Sequence, residues 1–198
     1  MSKALVELIK KNFGTAVLET HALHGDETIV VEAAAWKEVA RFLRDNPQCS
    51  MDMLSDLTAV DFPEREPRFE IVAHFYSLTK GHRLRLKTRT GDSEGDDAEV
   101  DTLCDLWASA NWMERETFDM FGVIFKGHPD LRRILLYPEF EGHPLRKDYP
   151  ADKIQPLIAY RDVPNIEKVA PFSVDEGMSF GRQTHTGRRH DTDDSQVN

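Results

Sequence analysis

Cysteine is scarce in this chain: Cys49 and Cys104 are the only two in 198 residues, and no CxxC pair occurs. An iron–sulfur cluster takes about four thiolates, and a structural zinc site takes four Cys or His ligands at close spacing. Neither set is on offer. Two free thiols in a reducing compartment is the expectation that remains. Long apolar runs are also missing, with none near the ~18 residues of a membrane-spanning helix. The opening MSKALVELIKKNF has no continuous apolar core, carries Glu7 and holds little Arg or Ser. It is therefore expected to belong to the fold of a cytosolic chain, not to a targeting segment. Basic residues are outnumbered, 25 Lys and Arg against 35 Asp and Glu, for a net charge of −10. General nucleic-acid binding rests on Lys and Arg neutralising phosphates, so the balance argues against it. Glycine-rich phosphate loops, HExxH and GxSxG are all absent.

What is present is an ordinary small domain followed by a peculiar stretch. Residues 4–13 place Leu5, Ile9 and Phe13 on one face of a short helix. Residues 16–19 and 28–31 read as brief strands around the turn His24-Gly25-Asp26. A better helix spans 33–45, with Trp36, Val39, Ala40 and Leu43 on one face and Asn46-Pro47 as its stop. Residues 51–62 carry apolar surface from Met51, Met53, Leu57 and Val60. Residues 69–78 and 82–90 alternate and form a long hairpin with one buried face. Phe69, Ile71, Ala73 and Phe75 point inward, as do Leu84, Leu86 and Thr88. The outward row Arg83, Arg85, Lys87 and Arg89 lacks the interleaved aromatics of an RNA-stacking sheet. An ion-paired or solvated face is the expectation there. After the acidic loop 92–101, Asp101 is placed to cap a helix bearing Leu103, Leu106, Trp107 and Ala110. The order α-β-β-α-β-β-β-α predicts an α+β two-layer sandwich: a mostly antiparallel sheet with helices packed on one face.

The peculiar stretch is residues 112–150, WMERETFDMFGVIFKGHPDLRRILLYPEFEGHPLRKDYP. Glu114, Arg115, Glu116 and Asp119 are spaced for ion pairs along a helix, and Gly122 is placed to end it. His128-Pro129-Asp130, Arg132 and Arg133 follow, then His143-Pro144, Arg146, Lys147 and Asp148. A catalytic or metal role for the acids and histidines is one possibility. The two His-Pro units, however, sit far apart on irregular backbone with no recognised catalytic template. Docking is the better reading, against the alternative of a charged loop anchored only onto its own domain: Arg suits bidentate carboxylate contacts, and Phe125, Leu131, Ile134, Leu135, Leu136, Tyr137 and Leu145 can bury against a partner. Beyond Pro150 neither helical nor strand periodicity persists. The expected organisation is an α+β domain over 1–122 and an extended partner-binding arm over 123–198, its polar end disordered when alone.

The runs ERExxDMFG (114–122), FxGHPDLRRIL (125–135) and GHPLRKDYP (142–150) closely resemble the signature of the 30-kDa subunit family of respiratory complex I. Residues 1–110 share only the general pattern, and little carries over after Pro150. The resemblance implies a non-catalytic scaffold subunit in the peripheral arm of a proton-translocating NADH:quinone oxidoreductase. Its partners would be the quinone-site subunit and the subunit with the terminal iron–sulfur cluster. FMN, iron–sulfur clusters, NADH and quinone would be bound by partner subunits and none by this chain. It would lie peripherally at the cytoplasmic face of a bacterial inner membrane, touching the membrane only indirectly. Equivalent subunits occur in complex I-like membrane-bound hydrogenases and in dehydrogenases with other electron donors, which is the alternative.

Overall fold

The structure, a computed structural model, describes residues 2–95 and 97–158. Helix α1 (Ser2–Phe13) leads into the hairpin β1 (Val17–Leu23) and β2 (Asp26–Val31). A short 3-10 turn, Ala33–Ala35, opens helix α2 (Trp36–Asp45). Strands β3 (Met53–Asp61), β4 (Phe69–Tyr76) and β5 (Arg83–Thr90) form a meander. A small strand β6 (Glu99–Asp101), helix α3 (Ala110–Phe121) and strand β7 (Ile124–Lys126) complete the elements.

The five-stranded sheet has the order β1-β2-β5-β4-β3. Three of its pairings are antiparallel; β2 and β5, which join the two hairpins, run parallel from Thr28↔Arg85 to Val31↔Thr88. The hairpin read from alternation is therefore present, with Phe69 opposite Thr90 and Tyr76 opposite Arg83. Its inward side chains Phe69, Ile71, Ala73, Phe75, Leu84 and Leu86 are buried together with Ile9, Trp36, Leu43, Trp107 and Phe121 from the helical side. Each large apolar side chain in that layer contributes roughly 1.5–3 kcal/mol by leaving water. The helices thus cover one face of a mostly antiparallel sheet, in agreement with the sequence pattern.

The other face carries the basic row, and its charges are spent within the sheet. Lys87 Nζ lies 2.6 Å from Glu70 Oε1, and Arg89 Nη1 and Nη2 bond Glu19 at 3.0 and 3.1 Å. Arg83 lies 3.8 Å from Asp26, and Arg85 donates to Thr28 Oγ1 at 3.2 Å.

Helix α2 has its apolar face, Trp36, Val39, Ala40 and Leu43, fully buried. It stops where expected: Asn46 before Pro47 is extended, with φ −74 and ψ 123. Two expectations need correction. The first hairpin is longer than the brief strands read at 16–19 and 28–31, because β1 is largely exposed and shows no alternation. No helix begins directly at Asp101. Residues 104–106 form a turn instead, and α3 starts only at Ala110 behind Ser109. The Leu103 amide, which an Asp101 cap would use, is taken by the Glu114 carboxylate, and the Thr102 hydroxyl goes to the same group.

Helix α3 lies on edge strand β3. Ser109 Oγ donates to Leu54 O at 3.2 Å and Thr117 Oγ1 to Leu57 O at 3.3 Å, while Trp107 Nε1 reaches Met51 O at 3.1 Å. The chain stays with the domain beyond Gly122. Val123 and Phe125 are in the core, and β7 pairs in parallel with β6. The compact unit runs to Leu157, so the boundary expected at 122 lies inside it. Of the arm expected over 123–198, residues 159–198 lie outside the described residues. No helix among the described residues is long and apolar enough to cross a membrane.

Candidate functional site

The signature stretch folds back on α3 through a set of polar contacts. Their starting point is the helix itself. Glu114, Thr117 and Asp119 are buried polar positions on a helix whose other buried residues are apolar. Each must find partners, since an unpaired buried polar group costs about 1–3 kcal/mol or more.

Glu114 finds them in the turn before the helix. Its carboxylate accepts from Thr102 Oγ1 at 2.5 Å, from the Leu103 amide at 2.7 Å and from Cys104 Sγ at 3.4 Å. Burial raises its pKa, and these three contacts pull it down only in part. Cys104 is pushed up to about 11, chiefly by burial, so its thiol stays protonated. Ligand atoms of Cys104, Glu114 and His128 lie within 4.8 Å of one another, a donor set of the kind that zinc takes. Each of the three is already committed. His128 Nε2 pairs with Asn111 O at 3.2 Å and Nδ1 accepts the Asp130 amide at 3.0 Å. The trio is a hydrogen-bonded brace between α3, the preceding turn and the loop after β7.

Asp119 organises the opposite end. Its Oδ2 accepts three consecutive amides, Ile134 at 3.0, Leu135 at 2.8 and Leu136 at 2.9 Å. Its Oδ1 meets Arg133 Nη1 at 2.7 Å. Burial would raise this carboxyl, but the amides and Arg133 outweigh it and hold the pKa below the ordinary range. Successive amides converging on one anion make a backbone nest. Here the anion is the protein's own side chain, and the nest fixes a loop that has no helix or strand to hold it.

The second GHP unit closes the end of α3. Gly122 is left-handed at φ 79, and its amide bonds Phe118 O at 2.8 Å, the αL stop expected at that position. A Cβ there would fall 2.6 Å from Arg146 Nη2 and 2.7 Å from the His143 ring. His143 Nδ1 donates to Asp119 O at 3.0 Å, and Arg146 Nε donates to Phe121 O at 2.6 Å. Helix carbonyls left without amide partners are thereby capped by side chains from 143–146. Burial lowers the His143 pKa; the bond to Asp119 O opposes this and the positive charges of Arg146 and Arg133 add to it, for a net lowering that favours the neutral ring at pH 7. Arg146 also lies over Phe69, 5.2 Å from the ring centroid, and donates to Gly95 O at 3.0 Å.

Lys147 and Asp148 meet a pair that no sequence pattern reveals. Arg68 and Asp61, 3% and 0% exposed at their side chains, form a two-pronged ion pair. Asp61 Oδ2 also accepts the Lys147 amide at 2.7 Å, and Arg68 Nη1 donates to Asp148 Oδ2 at 3.0 Å. Burial works to raise the Asp61 pKa, but Arg68 and the Lys147 amide outweigh it and hold it low. By sequence Arg68 belongs only to a polar turn. Its one signal is its place directly before the buried Phe69.

The charged signature positions therefore separate. Glu114, Asp119, Arg133, His143 and Arg146 are turned inward. Arg115, 5.7 Å over the Trp112 ring, binds the Arg132 and Arg133 carbonyls at 3.0 and 3.2 Å. The ion pairs expected along the helix among Glu114, Arg115, Glu116 and Asp119 give way to these bonds to neighbouring loops. Glu116, Pro129, Asp130, Arg132, Lys147 and Asp148 are exposed, Pro144 half-buried; Arg132 pairs with its near neighbour Asp130, at 2.9 Å.

The chain also matches known proteins over this span. Residues 29–155 match the family described as "Respiratory-chain NADH dehydrogenase, 30 Kd subunit". The chain is 41% identical over 164 residues to an NADH-quinone oxidoreductase subunit of Rhodobacter capsulatus, covering 79% of this chain and 80% of that one. It is 46% identical over 153 residues to the corresponding subunit of the Caulobacter vibrioides enzyme, covering 76% and 75%. Among solved structures, it resembles the trypsin-resistant fragment of Nqo5 at 28% identity with a TM-score of 0.52, covering 64% of this chain and 98% of that one. It also resembles a chain of the membrane-bound sulfane sulfur reductase, an archaeal respiratory membrane complex, at 26% identity with a TM-score of 0.63, covering 76% and 86%. The matched span and these relatives lead to one conclusion: the chain belongs to the 30 Kd subunit family of the respiratory-chain NADH dehydrogenase.

Proposed function

We propose that this chain is a non-catalytic scaffold and assembly subunit in the peripheral arm of a proton-translocating NADH:quinone oxidoreductase. It supports the quinone-reducing module by docking against the quinone-site subunit and the subunit with the terminal iron–sulfur cluster. NADH, FMN, the clusters and quinone are bound by those and other partners. The chain sits at the cytoplasmic face of the inner membrane, held there through its partners.

One observation carries this reading: the buried signature acids hold backbone. Asp119 is saturated by three amides and Arg133, and Glu114 by the Thr102–Cys104 turn. A general acid or base needs a free lone pair or proton within reach of a substrate. These groups use theirs to shape the surface that residues 128–148 present. Of the signature residues, Arg132, Asp130, Glu116 and Lys147 offer side chains outward for contacts with partners.

A second reading is favoured by the likeness to the archaeal sulfane sulfur reductase, a respiratory complex whose name denotes a different reaction. The chain would then serve as the equivalent scaffold in a complex I-like enzyme with another electron donor. Affinity purification of the tagged chain from the native membrane fraction decides. Co-purification of flavin- and iron–sulfur-containing subunits with NADH:quinone activity supports the first reading. The same partners without NADH activity support the second, and a solitary chain refutes both.

A further inference from the structure

Resting on that docking reading, we propose that Leu135 and Tyr137 form a preset apolar anchor that seats in an apolar pocket of a neighbouring subunit. The run Ile134-Leu135-Leu136-Tyr137-Pro138 is apolar throughout, yet it lies on irregular backbone at the surface. Leu131 and Leu136 turn inward and pack on the core. Leu135 stays 61% exposed and Tyr137 37%. Scattered exposed apolar side chains, such as Leu78, need no explanation. This loop differs because a fully buried carboxylate is dedicated to its shape. Asp119 binds the amides on both sides of the Leu135 Cα, those of Leu135 and Leu136, together with that of Ile134. Arg133 ties the same carboxylate to Gly142 O, at 2.9 Å, and lies 5.7 Å from the centroid of Phe140, which in turn packs edge-on against Tyr137 at 5.7 Å. The Tyr137 hydroxyl donates to Pro156 O at 3.2 Å, which fixes the ring direction. A loop held in shape before contact loses little entropy on binding, and that favours affinity.

The surroundings select a protein pocket as occupant. Around the loop Asp130 pairs with Arg132 and Glu141 with Lys153, Glu139 adds a further exposed acid, and the whole chain carries −10. An anionic bilayer repels such a surface, and a second copy would bring the same excess of negative charge. An apolar pocket on a different subunit takes Leu135 and the Tyr137 ring without that opposition.

The test uses the full tagged chain in its native membrane assembly. Leu135→Asp should reduce co-purification of the oxidoreductase subunits at least tenfold, while Leu78→Asp on the distant β4–β5 turn leaves recovery at the unaltered level. Leu135→Ala, which keeps every amide contact to Asp119, should weaken retention about tenfold, the scale of one lost leucine contact. It answers the question even if the aspartate variant fails to fold. Full assembly of both Leu135 variants overturns the anchor and leaves the scaffold reading standing. Failure of the unaltered chain to recover partners overturns both. Sedimentation with anionic phosphatidylglycerol vesicles and size-exclusion of the purified chain complete the test. Leu135-dependent vesicle binding or dimerisation would assign the loop to lipid or to a second copy and refute the proposal.

Discussion

Arg68 and Asp61 face each other through two parallel hydrogen bonds, Nε to Oδ1 at 2.7 Å and Nη2 to Oδ2 at 2.9 Å, in a site closed to solvent. The pair straddles the turn between β3 and β4 and receives the segment at 147–148. Removing one member of a buried pair typically costs about 3–5 kcal/mol, and without Asp61 the Arg68 guanidinium keeps only the half-exposed Asp148 and the Glu94 carbonyl. Asp61→Ala should therefore lower unfolding free energy by about 3 kcal/mol in urea or guanidinium titrations. A loss below about 1 kcal/mol would mean that water or a neighbour takes over the role of Asp61.

Asp119→Ala should free the 131–138 loop more than it unfolds the domain. The three amides it abandons lie near the surface, where water can serve them, so a cost of about 2 kcal/mol is expected. The sharper readout is trypsin. Cleavage after Arg132 and Arg133 should accelerate many-fold in the variant, and unchanged cleavage would show that the nest is not what holds the loop.

Gly122→Ala meets two obstacles: a left-handed backbone and an occupied Cβ position. The backbone strain alone is worth about 1–2 kcal/mol. The displaced groups are the Arg146 guanidinium and the His143 ring, so the 143–149 segment should loosen. Faster amide exchange at Leu145 and Lys147, whose protons go to Met120 O and Asp61, would register this.

The buried carboxyls give the stability of the domain opposite pH dependences. Asp61 and Asp119 have folded values held below the ordinary 3.8. Their contribution is complete above that pH and disappears as pH falls through the lowered values. Glu114 is raised above its ordinary 4.5. Its contribution is complete below pH 4.5 and declines as pH rises through the folded value. Glu114→Gln keeps one oxygen to accept the Leu103 amide, turns its NH2 toward the Thr102 hydroxyl, which can accept, and removes the titration. Denaturation midpoints of this variant should decline less above pH 4.5 than those of the parent, and parallel curves would refute the assignment.

The sheet and its helices are legible in the sequence because burial imposes a period. Leu84, Leu86 and Thr88 alternate with charges, and Trp36, Val39, Ala40 and Leu43 recur at helical spacing. The exposed β1 imposes none, so its length is hidden. The signature stretch announces itself by composition, but composition does not say which way a charge points. Arg133 and Arg132 are neighbours in sequence, one bonded to a buried acid and the other open to solvent. The Asp61–Arg68–Asp148 set is invisible for a related reason. Its members are separated by turns and by most of the domain, and no local pattern joins them. The helix expected from Asp101 fails because a distant side chain, Glu114, wins the amide that capping would have required.

The parallel register of β2 against β5 has a consequence for the birth of the protein. A chain emerging residue by residue makes its first hairpin early, but β2 has no inner neighbour until Thr88 has appeared and donated to Val31 O. Through that interval the wholly apolar strand end at Ile29, Val30 and Val31 is exposed to whatever else is nearby, a period in which chaperone capture or mispairing competes with folding. The last polar ties arrive later still. Asp61 and Arg68 can meet Lys147 and Asp148 only after these have left the ribosome. The polar ties of the domain are thus complete only with the GHPLRKDYP segment, and translation pauses placed upstream of it would lengthen the vulnerable stage.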